Sequence, residues 1–324
     1  MRIILNYNAA TDAALTAAPK NPKFVDLKLG ARLLLVSLLG AYLAGCSSIS
    51  TVSTPPNIPT VITKRLPKIG LALGGGAARG FAHVGVIQVL EEAGIKPDLV
   101  VGTSAGSLVA AIYASGKTGA QLQNVAETME EAALTDWTLP FLSRGMLRGE
   151  ALARYVSGQV GGKTIESLAM PLGIVATDLH NGQGVLFTRG DAATAVRASS
   201  AVPAVFQPVK IGSREYVDGG LVSPVPVRYA RQMGAEVVIA VDISATPESN
   251  PALGTLDILL QTFAIMSRSI NSFELKEADV AVRPALAGVA SADFASKRRS
   301  IEAGRAAMLA ALPLLRTAIA VKSQ

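Results

Sequence analysis

A chain of 324 residues, half of them hydrophobic, is long enough to bury one large core or two ordinary ones. Its formal net charge of +6 says little about partners, because residues 1–46 carry five Lys or Arg against two Asp and leave the remainder at 25 against 22. No basic run interleaved with aromatics occurs in the body, which argues against a nucleic-acid partner, and a single cysteine excludes an internal disulfide.

In chain order, residues 33–44 are an apolar run behind Lys28 and Arg32, too short for an ordinary membrane span and right for the core of a signal peptide. The run ends in Leu43-Ala44-Gly45-Cys46, which resembles a bacterial lipobox. That resemblance implies that residues 1–45 are a signal peptide and that Cys46 becomes a lipidated membrane anchor. Ser47 is compatible with sorting to an outer membrane, with the domain facing the periplasm. The alternative is a buried free cysteine in a core helix. Residues 46–67, rich in Ser, Thr and Pro, read as a flexible tether, which leaves 68–324 as the folded body.

The body opens with a strand signal, Lys68–Leu73, running into Gly74-Gly75-Gly76-Ala77-Ala78-Arg79-Gly80 and a helix pattern over Phe81–Ala93. Strand, glycine loop and helix together hold an anion on backbone amides. Nucleotide phosphate fits poorly. The Rossmann spacing needs a glycine at position 79, and a P-loop needs a lysine where Phe81 stands. The other reading is an oxyanion cradle, with Gly75 and Gly76 as amide donors and Arg79 as a brace or a solvated helix-start residue.

Next, Leu99–Val101 is a short apolar strand that meets Gly102-Thr103-Ser104-Ala105-Gly106 and passes into a helical pattern. Gly-x-Ser-x-Gly at a strand-to-helix turn presents a nucleophile, here Ser104, where the helix N-terminus favours developing negative charge. Two successive βα turns place both loops at the carboxyl edge of one sheet. Thr118–Ala133 reads as a polar-faced helix, and residues 136–148, with Trp137, Phe141 and Met146, as an entry flap or an ordinary surface loop. Strands are expected at Leu172–Asp178, Val185–Thr188 and Val237–Val241, and helices at Ala192–Ser200, Leu256–Ile270 and Ile301–Ala320. Pro203 and Pro208 bracket a loop expected to line the pocket.

The base that activates Ser104 must come from this inventory. The chain has two histidines, His83 and His180, and neither follows a downstream acid in hydrolase order. A carboxylate is the better reading, and Asp218 is the best placed: a short strand, Arg214–Val217, delivers it into Gly219-Gly220. An Asp before two glycines is also ordinary turn chemistry. Its pairing with a serine elbow and a glycine cradle favours the base.

Taken together, the blocks at 74–80, 102–106, Ala198-Ser199-Ser200-Ala201-Val202-Pro203 and Asp218-Gly219-Gly220 resemble the four ordered motifs of the patatin-like phospholipases. They fall between Lys68 and about Ser244. The resemblance implies a three-layer α/β/α fold with a central, mostly parallel sheet. It also implies a Ser104–Asp218 dyad with no histidine, metal or cofactor, acting on acyl esters of membrane phospholipid or lysophospholipid. An unperturbed Asp titrates near pH 4, so the dyad requires a dry site that raises this value. Ser223 stands where the family commonly has Asn, which bears on how Asp218 is supported. Two other classes stay open: an anchored lipid-binding protein that no longer turns over, and a nucleotide-binding protein using the first glycine loop. No sequence feature specifies a protein partner.

Overall fold

The computed structural model describes residues 65–136, 144–245, 254–290 and 292–324, all within the unit Ile62–Gln324. The signal peptide, Cys46, most of the tether, and Trp137 and Phe141 of the expected flap lie outside the described residues. The folded body begins slightly before Lys68. Arg65 pairs bidentately with Glu236 (2.7 and 2.8 Å), and its main chain exchanges hydrogen bonds with Gln324.

The elements follow in chain order. They are β1 (Ile69–Leu73), α1 (Ala82–Glu92), β2 (Leu99–Thr103), α2 (Ala105–Ala114), α3 (Gly119–Thr128), β3 (Gly145–Leu147) and α4 (Glu150–Val160). After these come β4 (Leu172–Asp178), β5 (Gly184–Phe187), α5 (Ala192–Ser199), β6 (Ala204–Phe206), β7 (Val209–Ile211) and β8 (Arg214–Asp218). The chain closes with α6 (Val227–Gln232), β9 (Val237–Val241), α7 (Thr255–Glu274), β10 (Val280–Val282) and α8 (Lys297–Lys322).

Strands β1, β2, β4 and β9 are buried at every residue, as expected for strands covered on both faces. The main sheet runs β10-β9-β1-β2-β4-β8-β7. Its first five members are mutually parallel, whereas β8 and β5 pair antiparallel with β4 and β7 pairs antiparallel with β8. One face, with Leu71, Val100 and Ile239, packs under α1 to α5 and α8. The other, with Ala72, Val101 and Ala240, packs on α6. Three layers result, as expected.

Helices α1 and α8 approach until main chains touch, for a Cβ at Gly85 would lie 2.0 Å from Ile301 O and one at Gly304 1.9 Å from Ala82 O. By length and composition α8 could cross a membrane, yet its buried residues Ile301, Met308 and Leu315 recur every seventh position, the stripe of a helix laid on a core.

Several expectations change in detail. The helix expected over Thr118–Ala133 ends at Thr128, since Met129 is extended (φ −69°, ψ 123°), and a 3-10 turn occupies Glu131–Ala133. Helix α4 has no counterpart among the expected elements. Its N-terminus is capped by a carboxylate distant in sequence: Asp136 accepts from the amides of Gly149, Glu150 and Ala151 at 2.7 to 3.0 Å. The part of the expected flap that is described, after residue 143, forms β3, which pairs with β6.

Candidate active site

The Leu73-to-Gly74 and Thr103-to-Ser104 turns leave neighbouring parallel strands, with Leu73 in register with Gly102. Both turns therefore sit at the carboxyl edge of the sheet, where ligands bind in open α/β folds. Contact between them is close. A Cβ at Gly75 would lie 3.1 Å from Ser104 Cβ and 3.9 Å from its Oγ, and one at Gly106 would lie 2.1 Å from Leu73 O. Gly102 packs on Gly106, and Gly80 on Ala105, in the same way.

Ser104 is half-buried and has φ +51° and ψ −125°, a conformation costing an L-residue about 1–3 kcal/mol unless its surroundings impose it. They do. Its carbonyl accepts from Ser107 N (2.8 Å) and Ser107 Oγ (2.6 Å), and its amide donates to Ser199 Oγ (2.9 Å). Ser199 Oγ in turn donates to Val175 O on β4 (2.5 Å). Although Ser104 sits at the N-cap of α2, its hydroxyl makes no capping bond and remains available.

Asp218 is brought to the same level by register: Val175 pairs with Thr103, and the next residue, Ala176, pairs with Asp218. It is held at every polar atom but one. Its amide donates to Ala201 O (3.0 Å), its carbonyl accepts from Thr177 Oγ1 (2.8 Å), and Oδ1 accepts from Gly220 N (2.7 Å). Oδ2 is buried without a hydrogen bond of full geometry. Burial pushes this carboxyl up to about 6, against smaller opposing effects of the Gly220 amide and the Ser104 hydroxyl. The hydroxyl thus acts on the carboxylate from close by without a completed bond.

The turn after Asp218 folds back over β4 and β2. A Cβ at Gly219 would lie 2.2 Å from Val175 O, and Thr103 Oγ1 donates to Ser223 O (2.9 Å). Ser223, at the position where the family commonly has Asn, donates to the buried carboxylate of Glu274 (2.7 Å), so α7 supports the Asp218 loop.

The glycine loop differs from expectation in two respects. The Gly75 amide donates to Pro224 O (2.9 Å) and the Gly74 amide to Val241 O (3.0 Å), so Gly75 is not an available donor. Its lack of a side chain is what matters, because it makes room for Ser104. Among the described residues no hydrogen bond is made by the amides of Gly76 and Ala77; Ala77 has φ +51° and is exposed. The expected brace, Arg79, closes the loop through its main chain, whose amide donates to Gly76 O (3.2 Å). Its guanidinium is buried, with Nε unpartnered and Asp242 opposing its charge. It is neither a side-chain brace nor solvated.

His83 is fully buried and bonds Gly74 O through Nε2 (2.8 Å). A carbonyl only accepts, so Nε2 carries the proton, and burial pulls the ring down to about 4. It steadies the loop as a neutral imidazole. His180 is exposed. Among the described residues no group of three or more His, Cys, Asp or Glu is placed to hold a metal.

Beside Ser104 opens an apolar cavity of about 250 Å³ between α1, α2 and α3, lined among others by Phe81, Leu108, Ile112, Leu122, Ala126 and Phe206. Ile112 lies eight residues beyond Ser104, so the cavity runs about 12 Å along α2. Val202 and Phe206 reach it, which fulfils the expectation for the loop between Pro203 and Pro208. Nothing in the sequence signals the role of Ser199, whose partners lie 95 and 24 residues away.

Residues 71–231 match the family model described as Patatin-like phospholipase. Over 187 residues the chain is 37% identical to an uncharacterized NTE family protein of Mycobacterium bovis, spanning 57% of this chain and 51% of that one. A second NTE family protein, from Mycobacterium tuberculosis, is 30% identical over 271 residues, or 75% and 46% of the two chains. Patatin-like phospholipase domain-containing protein 6 of Mus musculus is 35% identical over 191 residues, 56% of this chain and 14% of that one. The chain thus spans about half the length, or less, of these curated relatives. VipD from Legionella pneumophila shares the fold, with a TM-score of 0.54 at 14% identity over 78% of this chain and 67% of that chain.

Proposed function

The chain belongs, through residues 71–231, to the patatin-like phospholipase family, and we propose accordingly that it is a serine acyl hydrolase of membrane lipids, of phospholipase A or lysophospholipase type. The observation that carries this reading is a strained, uncapped Ser104 at the mouth of an apolar cavity, with a carboxyl raised to about 6 at its side.

A lipid acyl chain lies in the cavity and brings its ester carbonyl to Ser104. As Ser104 Oγ attacks, its proton passes to Asp218, whose raised value suits a base working near neutrality. Negative charge on the carbonyl oxygen is met by the Gly76 and Ala77 amides and the N-terminus of α2. The proton then goes to the departing alcohol as the ester C–O bond breaks, leaving an acyl-serine. Water attacks this ester and gives its proton to Asp218, fatty acid leaves, and Ser104 is restored. Ser199 positions the nucleophile through its amide.

The same reading places the protein in the cell envelope, anchored by acylated Cys46 to an outer membrane and facing the periplasm; Cys46→Ala is then expected to take up no labelled palmitate. The activity is tested by measuring fatty acid released from phosphatidylglycerol, phosphatidylethanolamine and their lyso forms by wild type and Ser104→Ala. Release that the variant lowers by about three orders of magnitude supports the reading. Equal release by both contradicts it.

A further inference from the structure

An amphipathic helix in a globular protein turns its apolar stripe to the core, and α7 does the reverse. Its buried residues are Ser267, Asn271 and Glu274. Ile258, Leu259, Ile265, Met266 and Phe273 are 48 to 67% exposed, and at 100° per residue they fall within about a third of the helix circumference. With Leu260, this one helix holds six of the eleven large apolar side chains exposed among the described residues.

The polar side is accounted for. Ser267 Oγ donates to Gly220 O (3.3 Å), Glu274 accepts from Ser223 (2.7 Å) and Asn271 accepts from Val225 N (3.2 Å). All three contacts fall on the segment that carries Asp218. The apolar side faces outward, with cations at its margins. Arg268 and Lys276 are exposed, and Lys276 Nζ stands 5.2 Å from the centre of the Phe273 ring. The acidic residues of α7 are spent elsewhere, Asp257 on the Gly254 amide (3.0 Å) and Glu274 in the interior.

We propose that the outward face of α7 docks on an anionic lipid bilayer. Large apolar side chains flanked by Lys and Arg on a 20-residue helix are the composition that lies in a membrane interface, and the flanking cations match anionic headgroups. The proposal rests on the reading of a lipid-acting enzyme and deepens it. Docked in this way, α7 carries the Asp218 loop on its far side, about one helix diameter, 10 Å, from the lipid.

The test uses the full chain carrying Cys46→Ala, so that one introduced cysteine is the only thiol. An environment-sensitive fluorophore is attached at Ile265→Cys on α7 or, as control, at Arg154→Cys on exposed α4 in the opposite layer. Vesicles of phosphatidylglycerol and phosphatidylcholine are added, with and without brominated acyl chains. The expected result is a blue shift and bromine quenching at position 265 and neither at 154. Arg268→Gln and Lys276→Gln should each weaken vesicle affinity roughly fivefold, and Leu259→Ser with Met266→Ser on the order of tenfold or more. No response at 265 overturns the proposal. So does a blue shift that grows with protein concentration without vesicles, which assigns the face to a second copy. An emission already blue in dilute protein and unchanged by lipid also overturns it, because another segment of the chain then covers the helix. Turnover of a soluble short-chain ester, measured on the same samples, reads the chemistry separately, so failure of docking and failure of the hydrolase reading are distinguished.

Discussion

Replacing Ser199 by Ala isolates a contact that binds the nucleophile to the sheet. Ser199 Oγ is fully buried and joins the Ser104 amide (2.9 Å) to Val175 O (2.5 Å). Alanine leaves both main-chain groups buried without a partner, at about 1–3 kcal/mol each. Part of that is recovered because Ser104, no longer tied, relaxes from φ +51°, a conformation worth about 1–3 kcal/mol of strain. A net loss of about 2–4 kcal/mol follows, and thermal unfolding should begin about 5–10 °C lower. Relaxation also moves the hydroxyl from Asp218, and a displacement near 1 Å costs on the order of a hundredfold in rate. The cavity is untouched, so KM for a soluble ester should stay within about twofold while kcat falls. Calorimetry beside steady-state kinetics reads both. A variant that melts within about 1 °C of wild type and keeps its kcat would show that this hydroxyl does not hold the elbow.

Because Asp218 acts deprotonated and is raised to about 6, kcat/KM should rise with pH through an inflection near 6, and a rate flat from pH 5 to 8 would count against it as the base. For stability the signs oppose. The raised Asp218 favours the fold below its unfolded value of about 4 and loses that contribution as pH rises through 6, whereas His83, held near 4, favours the fold above about 6.5 and loses it as pH falls through 4. Asp218→Asn removes only the first effect, so its melting temperature should drop more steeply than wild type on acidification from pH 6 to 4; parallel curves would contradict this. Ala126→Phe fills the cavity, and each methylene excluded costs about 0.8 kcal/mol of binding. The ratio of kcat/KM for hexadecanoyl over butanoyl esters should therefore fall more than about tenfold, and an unchanged ratio would move the acyl chain elsewhere. Gly106→Ala sets a Cβ 2.1 Å from Leu73 O, so β1 and α2 cannot both keep their places, and soluble protein with a normal melt would show the approach to be looser.

What the sequence made legible was local. Strand β1 with Gly74–Gly80, and β2 with Gly102–Gly106, each announce a strand, a turn and a helix within some twenty residues, and Asp218 closes a third such strand. What escaped depends on partners far along the chain. Ser199 meets Ser104 across 95 residues, and the Gly75 amide is taken by Pro224 O, which no reading of the glycine loop alone reveals. Asp136 caps α4 from outside the helix, and α6, β3, β6, β7 and β10 are too short to show a period. Helix α7 was legible as a helix, but its pattern would normally place the apolar side inward, and only the polar contacts to Gly220, Ser223 and Val225 reveal the inversion.

The mechanism stands on an activated Ser104 with Asp218 as its base, and what probes that pair most closely is the intact mass of the full chain after exposure to a fluorophosphonate. Wild type should gain one phosphonyl adduct, located on Ser104 by peptide mapping. Ser104→Ala should gain none, and Asp218→Asn should react at least about a hundredfold more slowly. A folded wild type that takes up no adduct, or a Ser104→Ala variant that still does, would overturn the assignment of nucleophile and base.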